Sequence, residues 1–218
     1  MKKLLLYLII LITGCSSEKD AFILTEYHFP LEGLEQGKTR IYQNLADGTR
    51  NYEYLKINDE GGKKVLISTH YTDTEKLDSS KWLITNDKIT MIESYMNFYA
   101  TPQMKNPILL TGDIKKHTRV NEVETIEVEY NLPEKSYAIF ETNDVFEKDT
   151  VMVWNGTNVK CKKYQSDITI TVGSKLNPLA KNVQETAGTY YHGKNLGLLK
   201  YSIKSADGIS NWKLIESE

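Results

Sequence analysis

The groups in this sequence that could do chemistry are two thiols, four imidazoles and a crowded row of carboxylates. The thiols are Cys15 and Cys161. No CxxC pair and no Cys/His spacing of the metal-binding kind accompanies them, which leaves a structural zinc site unsupported. His28, His70, His117 and His192 are scattered, and none has a second ligand at metal spacing. His28 and His192 lie in the aromatic triplets Tyr27-His28-Phe29 and Tyr190-Tyr191-His192, where edge packing is the expected role. Glu122, Glu124, Glu127 and Glu129 crowd one segment. A glycosidase needs two carboxyls facing each other across a cleft. Here Glu127 and Glu129 alternate with Ile126, Val128 and Tyr130, and a solvated outer face of a strand explains them. P-loop, GxSxG, HExxH and GxGxxG motifs are missing, and no nucleophile–base pair is visible. The expectation is a protein that is not an enzyme and carries no cofactor and no metal.

Cys15 is different from the other candidates because of what precedes it. Lys2 and Lys3 form a short positive region, and residues 4–12 are apolar without interruption. As a helix that run is roughly 14 Å long, about half of a hydrocarbon core, which is too short for a span and suits a signal peptide. It ends in Ile12-Thr13-Gly14-Cys15. This sequence resembles the lipobox of bacterial lipoproteins, an aliphatic residue, a small residue, Gly or Ala, then Cys. The resemblance implies cleavage between Gly14 and Cys15 and lipidation of the Cys15 thiol, with palmitate among the added chains. One acyl chain anchors weakly, and two or three make attachment stable. Ser16 follows where an Asp would imply inner-membrane retention, so the expected location is the envelope and, where the cell has one, the outer membrane. Residues 1–14 are then the signal peptide, residues 15–21 a charged, solvated tether and residues 22–218 the mature domain.

The chain carries 27 Lys+Arg and 29 Asp+Glu, and loss of Lys2 and Lys3 leaves 25 basic residues against 29 acidic. A slightly acidic surface without a basic cluster excludes nucleic acid as the main partner. The mature length suits one domain with a real core. Cys161 then has no intramolecular partner, and a buried, unreactive thiol is expected.

Fourteen Tyr and many Val, Ile and Thr favour strands. Turn signals recur at short intervals, among them Ala46-Asp47-Gly48, Glu60-Gly61-Gly62, Asn131-Leu132-Pro133, Asn155-Gly156 and Ala206-Asp207-Gly208. Between them the pattern alternates. Val65, Ile67, Thr69 and Tyr71 share one face, with Leu66, Ser68, His70 and Thr72 on the other. Ile126, Val128 and Tyr130 form a second set, Ile168, Ile170 and Val172 a third, and Leu199, Tyr201 and Ile203 a fourth. Asn155-Gly156 predicts a type I′ hairpin. Residues 179–186 read as a short helix after Pro178, and residues 101–116, with Pro102, Pro107 and Gly112, as a long connection. Trp82, Trp154 and Trp212 are expected in the core. The fold class is all-β and mainly antiparallel, a single curved meander sheet or half-barrel with few short helices.

The two ends of the mature chain, YHFPLEGLEQGKTRIYQ (27–43) and TYYHGKNLGLLKYSIKSADGISNWKLIE (189–216), resemble those of small secreted β-rich bacterial lipoproteins. Several of these look like the half-barrel of lipoprotein carriers of the LolA/LolB type. The usual Trp of their first strand is absent; Ile41 and Tyr42 stand there. The resemblance implies one curved antiparallel sheet with a plug or lid. The expected function is that of a non-enzymatic, lipid-anchored envelope protein that binds a protein partner or an apolar ligand through a sheet face. The alternatives are a periplasmic carrier of lipid or lipoprotein with an apolar cavity, and an immunity or inhibitor protein. The apolar run Ile108, Leu109, Leu110, read as part of a loop, is the candidate contact with lipid.

Overall fold

A chain that alternates polar and apolar residues over run after run must bury one face of a sheet, and its strands must find neighbours for their backbone N–H and C=O groups. This chain meets both demands by closure. The computed structural model describes residues 24–85, 88–98, 107–120, 122–206 and 208–217. Twelve antiparallel strands run as a meander: β1 (Lys38–Asn44), β2 (Arg50–Glu60), β3 (Lys63–Thr72), β4 (Lys76–Ile84), β5 (Ile89–Phe98), β6 (Ile108–Val120), β7 (Val123–Leu132), β8 (Ser136–Trp154), β9 (Thr157–Ser174), β10 (Lys181–Gly193), β11 (Gly197–Ser205) and β12 (Gly208–Ser217). β1 pairs with β12, so the expected meander sheet curls past a half-barrel into a closed barrel. Gly14, Cys15, the signal peptide and the tether lie outside the described residues.

An even number of antiparallel strands puts both termini at one end of the barrel. At this terminal end the chain enters β1 and leaves β12, and the β2–β3, β4–β5, β6–β7, β8–β9 and β10–β11 turns lie there too. The other end, called the mouth below, carries the remaining connections. The β8–β9 turn is the predicted hairpin: Trp154 pairs with Thr157, and Asn155 and Gly156 take φ of 47° and 76°. That is the left-handed geometry a type I′ turn requires.

Before β1 the chain crosses the terminal end from within. A π-helical turn (Leu24–His28) leads to Phe29, which packs on Trp82 with ring centroids 5.4 Å apart. Leu34 is fully buried among Leu55, Ile57, Leu66, Trp82 and Ile89. Leu34 O accepts from Ile57 N–H at 2.9 Å, and Glu26 O from Asn195 N–H at 2.7 Å, which ties the segment to both sides of the ring. It is a plug.

Two expectations about local structure are corrected. Residues 179–186 are not helical: β10 begins at Lys181, and residues 182–187 pair with residues 167–172 of β9. Their backbone groups are satisfied across the hairpin, which overrides a weak local helical preference. The run Ile108, Leu109, Leu110 is not in a loop; it opens β6. Gly112, which read as a breaker, is a packing glycine. A Cβ there would lie 2.4 Å from Val128 Cγ1 and 2.9 Å from the Tyr130 ring. Gly112→Ala is therefore expected to destabilise the barrel by about 1–3 kcal/mol as an overpacking change. The midpoint of urea unfolding measures this.

Ile126, Val128 and Tyr130 point inward as the alternation predicts, while Glu129 on the outer face meets Lys115 at 3.4 Å. On β3 the inward set is Leu66, Ser68 and His70. Leu66 joins the core and Ser68 Oγ donates to Glu53 Oε1 at 3.4 Å. A polar side chain is tolerated inside because a charged partner waits on the adjacent strand.

Candidate interior site

The charged partner belongs to a row of four side chains that cross the inner wall of β1 to β4 as direct cross-strand neighbours. Arg40 is opposite Glu53, Glu53 opposite His70, and His70 opposite Asp78. Charge alternates along the row. Arg40 Nη1 lies 3.3 Å from Glu53 Oε2, His70 Nε2 lies 3.8 Å from Glu53 Oε1, and His70 Nδ1 lies 2.6 Å from Asp78 Oδ1. Tyr42 Oη stands 3.2 Å from Glu53 Oε2 and 3.1 Å from Leu198 O. Burial works to raise the Glu53 carboxyl, yet the His70 hydrogen bond, the Arg40 and His70 charges and the Tyr42 hydroxyl bring it down to about 2. Burial likewise works against a proton on His70, but Asp78 and Glu53 lift it to about 10. Near neutral pH Arg40, Glu53 and His70 are all ionised.

Exposure grades along the row. The side chains of Arg40 and Glu53 are 3% and 11% exposed, and those of His70 and Asp78 45% and 46%. Arg40 sits at the plugged end and Asp78 two residues into β4 from the mouth. Among the described residues, then, the inner side chains are buried near the plug and more exposed toward the mouth. Apolar side chains tell the same story. Leu55, Ile57, Leu66 and Ile89, near the plug, are buried. Met96, Phe98, Ile108, Leu132 and Phe140, packed on Leu110, Val128 and Tyr130 toward the mouth, are only partly buried. Ile168 and Ile170, on the inward face of β9, and Ile203, on that of β11, are also partly buried. Eight strands give an interior that side chains just fill, and sixteen leave a channel. By this scaling, twelve strands filled at one end by a plug have room for a cup at the other. Tyr190, Tyr201 and Trp212 form one wall of it, stacked with centroids 6.1 Å and 5.9 Å apart.

A second polar row lies on the opposite wall, where Arg119, Glu124, Asp144 and Ser166 are successive cross-strand neighbours from β6 to β9. Glu124 is the carboxylate that the alternation did not place: it is buried, 3.1 Å from His117 Nε2 and 3.7 Å from Arg119 Nη1. His117 Nδ1 accepts from Met91 N–H at 2.9 Å, so the side chain bridges β5 to β6 beyond the point where their ladder ends. Burial raises Asp144 to about 6, against the pull of Ser166 and Arg119.

His28 of the plug and His192 of β10 do pack, and they pack on each other, with centroids 4.0 Å apart and Tyr164 edge-on to both. The two aromatic triplets at the ends of the mature chain meet here. Burial drives His192 down to about 3, with the Arg40 charge adding to the effect, and holds His28 well below its ordinary range. Both rings are neutral in the folded state. Below pH 6.5 the unfolded chain takes up protons that the folded chain refuses, so stability falls as pH falls from 6.5 toward 3. Each such proton contributes about 1.4 kcal/mol per pH unit. Urea midpoints measured across that range are expected to drop, with a visibly smaller slope in the His28→Phe/His192→Phe variant.

Of the residues singled out from sequence, Ile108 and Leu110 line the mouth half of the cup and Leu109 faces outward, 60% exposed. Trp82 is in the core by the plug, and Trp154 and Trp212, partly buried, pack on a second cluster of Tyr42, Val159, Cys161, Leu199 and Leu214. Cys161 is buried with Tyr42, Val159, Leu199 and Leu214, and burial pushes its thiol up, which suits an unreactive core residue. The two polar rows were missed, because their members are spread over eight strands. A usable signal was present in β2, where Glu53 sits in register with Leu55 and Ile57 on the inward face.

No protein-family model and no curated protein matches the chain. Solved structures do. A protein described as exported, with a YmcC-like fold, from Bacteroides fragilis aligns over 83% of this chain and 95% of its own, with a TM-score of 0.51 and 10% identity. A protein described as a lipoprotein from Parabacteroides distasonis aligns over 84% and 95%, with a TM-score of 0.47 and 10% identity. The hypothetical lipoprotein YmcC from Escherichia coli aligns over 99% and 96%, with a TM-score of 0.33 and 12% identity. The Bacteroides fragilis likeness shows a shared fold, the one described for that protein as YmcC-like.

Proposed function

We propose that this chain is a lipid-anchored protein of the bacterial envelope, not an enzyme, whose barrel holds an apolar ligand in the cup. The observation that carries the ligand is the exposure gradient, from 3% at Arg40 to 46% at Asp78, together with the half-buried apolar wall around it. A ligand pocket is a concave, mostly apolar space with a few placed polar groups. This cup offers Phe98, Phe140, Ile168 and Ile170 for a chain and His70 with Asp78 for a polar end. The anchor rests on the lipobox-like Ile12-Thr13-Gly14-Cys15 and has support from the fold shared with an exported protein.

The outer wall faces water. Lys81 pairs with Glu93 at 3.2 Å and Lys163 with Glu147 at 2.6 Å on its surface, where a membrane-spanning barrel needs an apolar belt. Attachment then falls to Cys15, and because the chain enters the barrel at the plugged end, the mouth points away from the anchor. Titration of the mature chain with a fluorescent fatty acid tests the cup. Saturable binding is expected, and Ile170→Asp, which puts a charge in the wall, is expected to weaken it about tenfold or more. No saturable binding, or equal binding by Ile170→Asp, contradicts the reading.

A further inference from the structure

The mouth carries a feature that ligand storage does not need. Leu45, Leu109, Leu176, Leu179 and Ile209 are exposed large apolar side chains at this end, while Val120, Val151, Val153 and Ile215 are exposed toward the other. The most prominent are Leu176 and Leu179 in the β9–β10 tip, 71% and 92% exposed. The tip is not a loose coil. Leu176 N–H donates to Ser174 Oγ at 3.2 Å, Leu179 N–H to Asn177 Oδ1 at 3.2 Å, Ala180 N–H to Asn177 O at 2.9 Å and Ser174 N–H to Ala180 O at 3.2 Å. Its own polar atoms hold a backbone that presents two leucines to solvent.

Their surroundings are basic. Lys175 and Lys181 flank the pair, and Lys135 at the neighbouring β7–β8 tip and Lys204 at the end of β11 are exposed on the same side of the mouth. Lys175 N–H donates to Lys135 O at 2.8 Å, which holds the two tips together. Glu134 is the acidic side chain among the described residues of these tips, and Glu129 of β7 lies 3.8 Å from Lys175 Nζ; Asp47, Asp73 and Glu75 lie at the β1–β2 and β3–β4 tips, with Arg50 and Lys76 beside them. The β7–β8 and β9–β10 tips with the end of β11 therefore form a basic, apolar part of the mouth. Exposed leucines ringed by lysines match an anionic bilayer, whose headgroup region accepts the apolar tips while its phosphates meet the ammonium groups.

We propose that the β9–β10 tip is a membrane-contact element: Leu176 and Leu179 enter the headgroup region of an anionic bilayer while Lys135, Lys175, Lys181 and Lys204 rest on its phosphates. This places the lipid contact on residues other than the Ile108–Leu110 run, of which Leu109 alone is exposed on the outer wall. It does not depend on the cup being occupied. It supplies the chain with a second attachment, at the end of the barrel opposite the lipid anchor.

Every strand of the ring lies between Lys38 and Ser217, and the plug begins at Leu24, so the chain from residue 16 onward contains the whole closed barrel. That unlipidated polypeptide is mixed with sucrose-loaded vesicles of phosphatidylglycerol and phosphatidylethanolamine, or of phosphatidylcholine alone, and sedimented. Binding to the anionic vesicles is expected, weakening with salt, with little to phosphatidylcholine. Leu176→Asp/Leu179→Asp and, separately, Lys175→Glu/Lys181→Glu are each expected to lower the affinity about tenfold or more. The thermal melt of the leucine variant should match the wild type, since neither side chain packs in the core. The proposal is overturned if the wild type stays in the supernatant, if it binds both vesicle types alike, or if the leucine variant sediments as the wild type does. It is also overturned if the leucine substitutions abolish self-association in sedimentation velocity and leave vesicle binding unchanged.

Discussion

Glu53→Ala is expected to destabilise the barrel by about 3–5 kcal/mol, the usual result of breaking a buried ion pair from one side. The loss comes from what the substitution leaves behind. Arg40 would keep its charge at 3% exposure with no carboxylate opposite. Tyr42 and Ser68 would lose the acceptor they share, and His70 one of the two carboxylates that hold its proton. Arg40→Met/Glu53→Leu is expected to recover most of the stability, because removing both charges removes the desolvation cost along with the attraction. Urea unfolding of the two single variants and the double variant measures the coupling. The row also fixes how stability varies with pH. Glu53 is held below its unfolded value, so its contribution is present above about pH 4.5 and is lost as pH falls toward 2. His70 is held above its unfolded value, so its contribution is complete below pH 6.5 and is lost as pH rises through about 10. Asp144 is held above its unfolded value, so it runs in the same direction as His70 and opposite to Glu53: it costs stability as pH rises from 3.8 to about 6. Taken with His28 and His192, the expected optimum lies near pH 6.5, and His70→Gln should flatten the alkaline limb.

Cys15→Ser is expected to move essentially the whole population from the membrane fraction to the soluble fraction or to leave it as uncleaved precursor. If Cys15 is lipidated as proposed, its acyl chains would supply anchoring that no described element replaces: among the described residues no helix is long and apolar enough to cross a membrane, and the barrel wall carries ion pairs. Labelled palmitate should enter the wild type and not the variant. If the β9–β10 tip works as argued, a small salt-sensitive fraction of the unlipidated protein should remain with anionic membranes, and Leu176→Asp/Leu179→Asp should remove it.

The strands were legible in the sequence wherever one face was uniformly apolar. Ile126-Val128-Tyr130 and the Asn155-Gly156 turn are of this kind, because period two and left-handed turn geometry are local properties. Closure was not legible. It depends on β1 meeting β12, where Tyr42 pairs with Leu214 across the whole length of the domain, and nothing local distinguishes such a strand from an edge. Gly112 and residues 179–186 misled for a related reason: a glycine made necessary by Val128 and Tyr130 looks like a breaker, and a strand whose partner is already fixed looks like a weak helix. The polar rows were hidden because each of their members is one residue on one strand. Only the register brings Arg40, Glu53, His70 and Asp78 side by side. The meeting of His28 with His192 was foreshadowed by two similar aromatic triplets, and the plug gives that pairing its physical reason.

The proposed cup opens at the mouth onto an apolar space and is expected to be occupied in the cell. The most direct test is to export the chain from residue 16 onward behind an ordinary signal peptide, purify it from the periplasm without detergent, and analyse its organic extract by mass spectrometry. An acyl-chain lipid near one per barrel is expected, with little in Ile170→Asp. A barrel that yields no lipid, or an Ile170→Asp variant that yields as much as the wild type, contradicts the account.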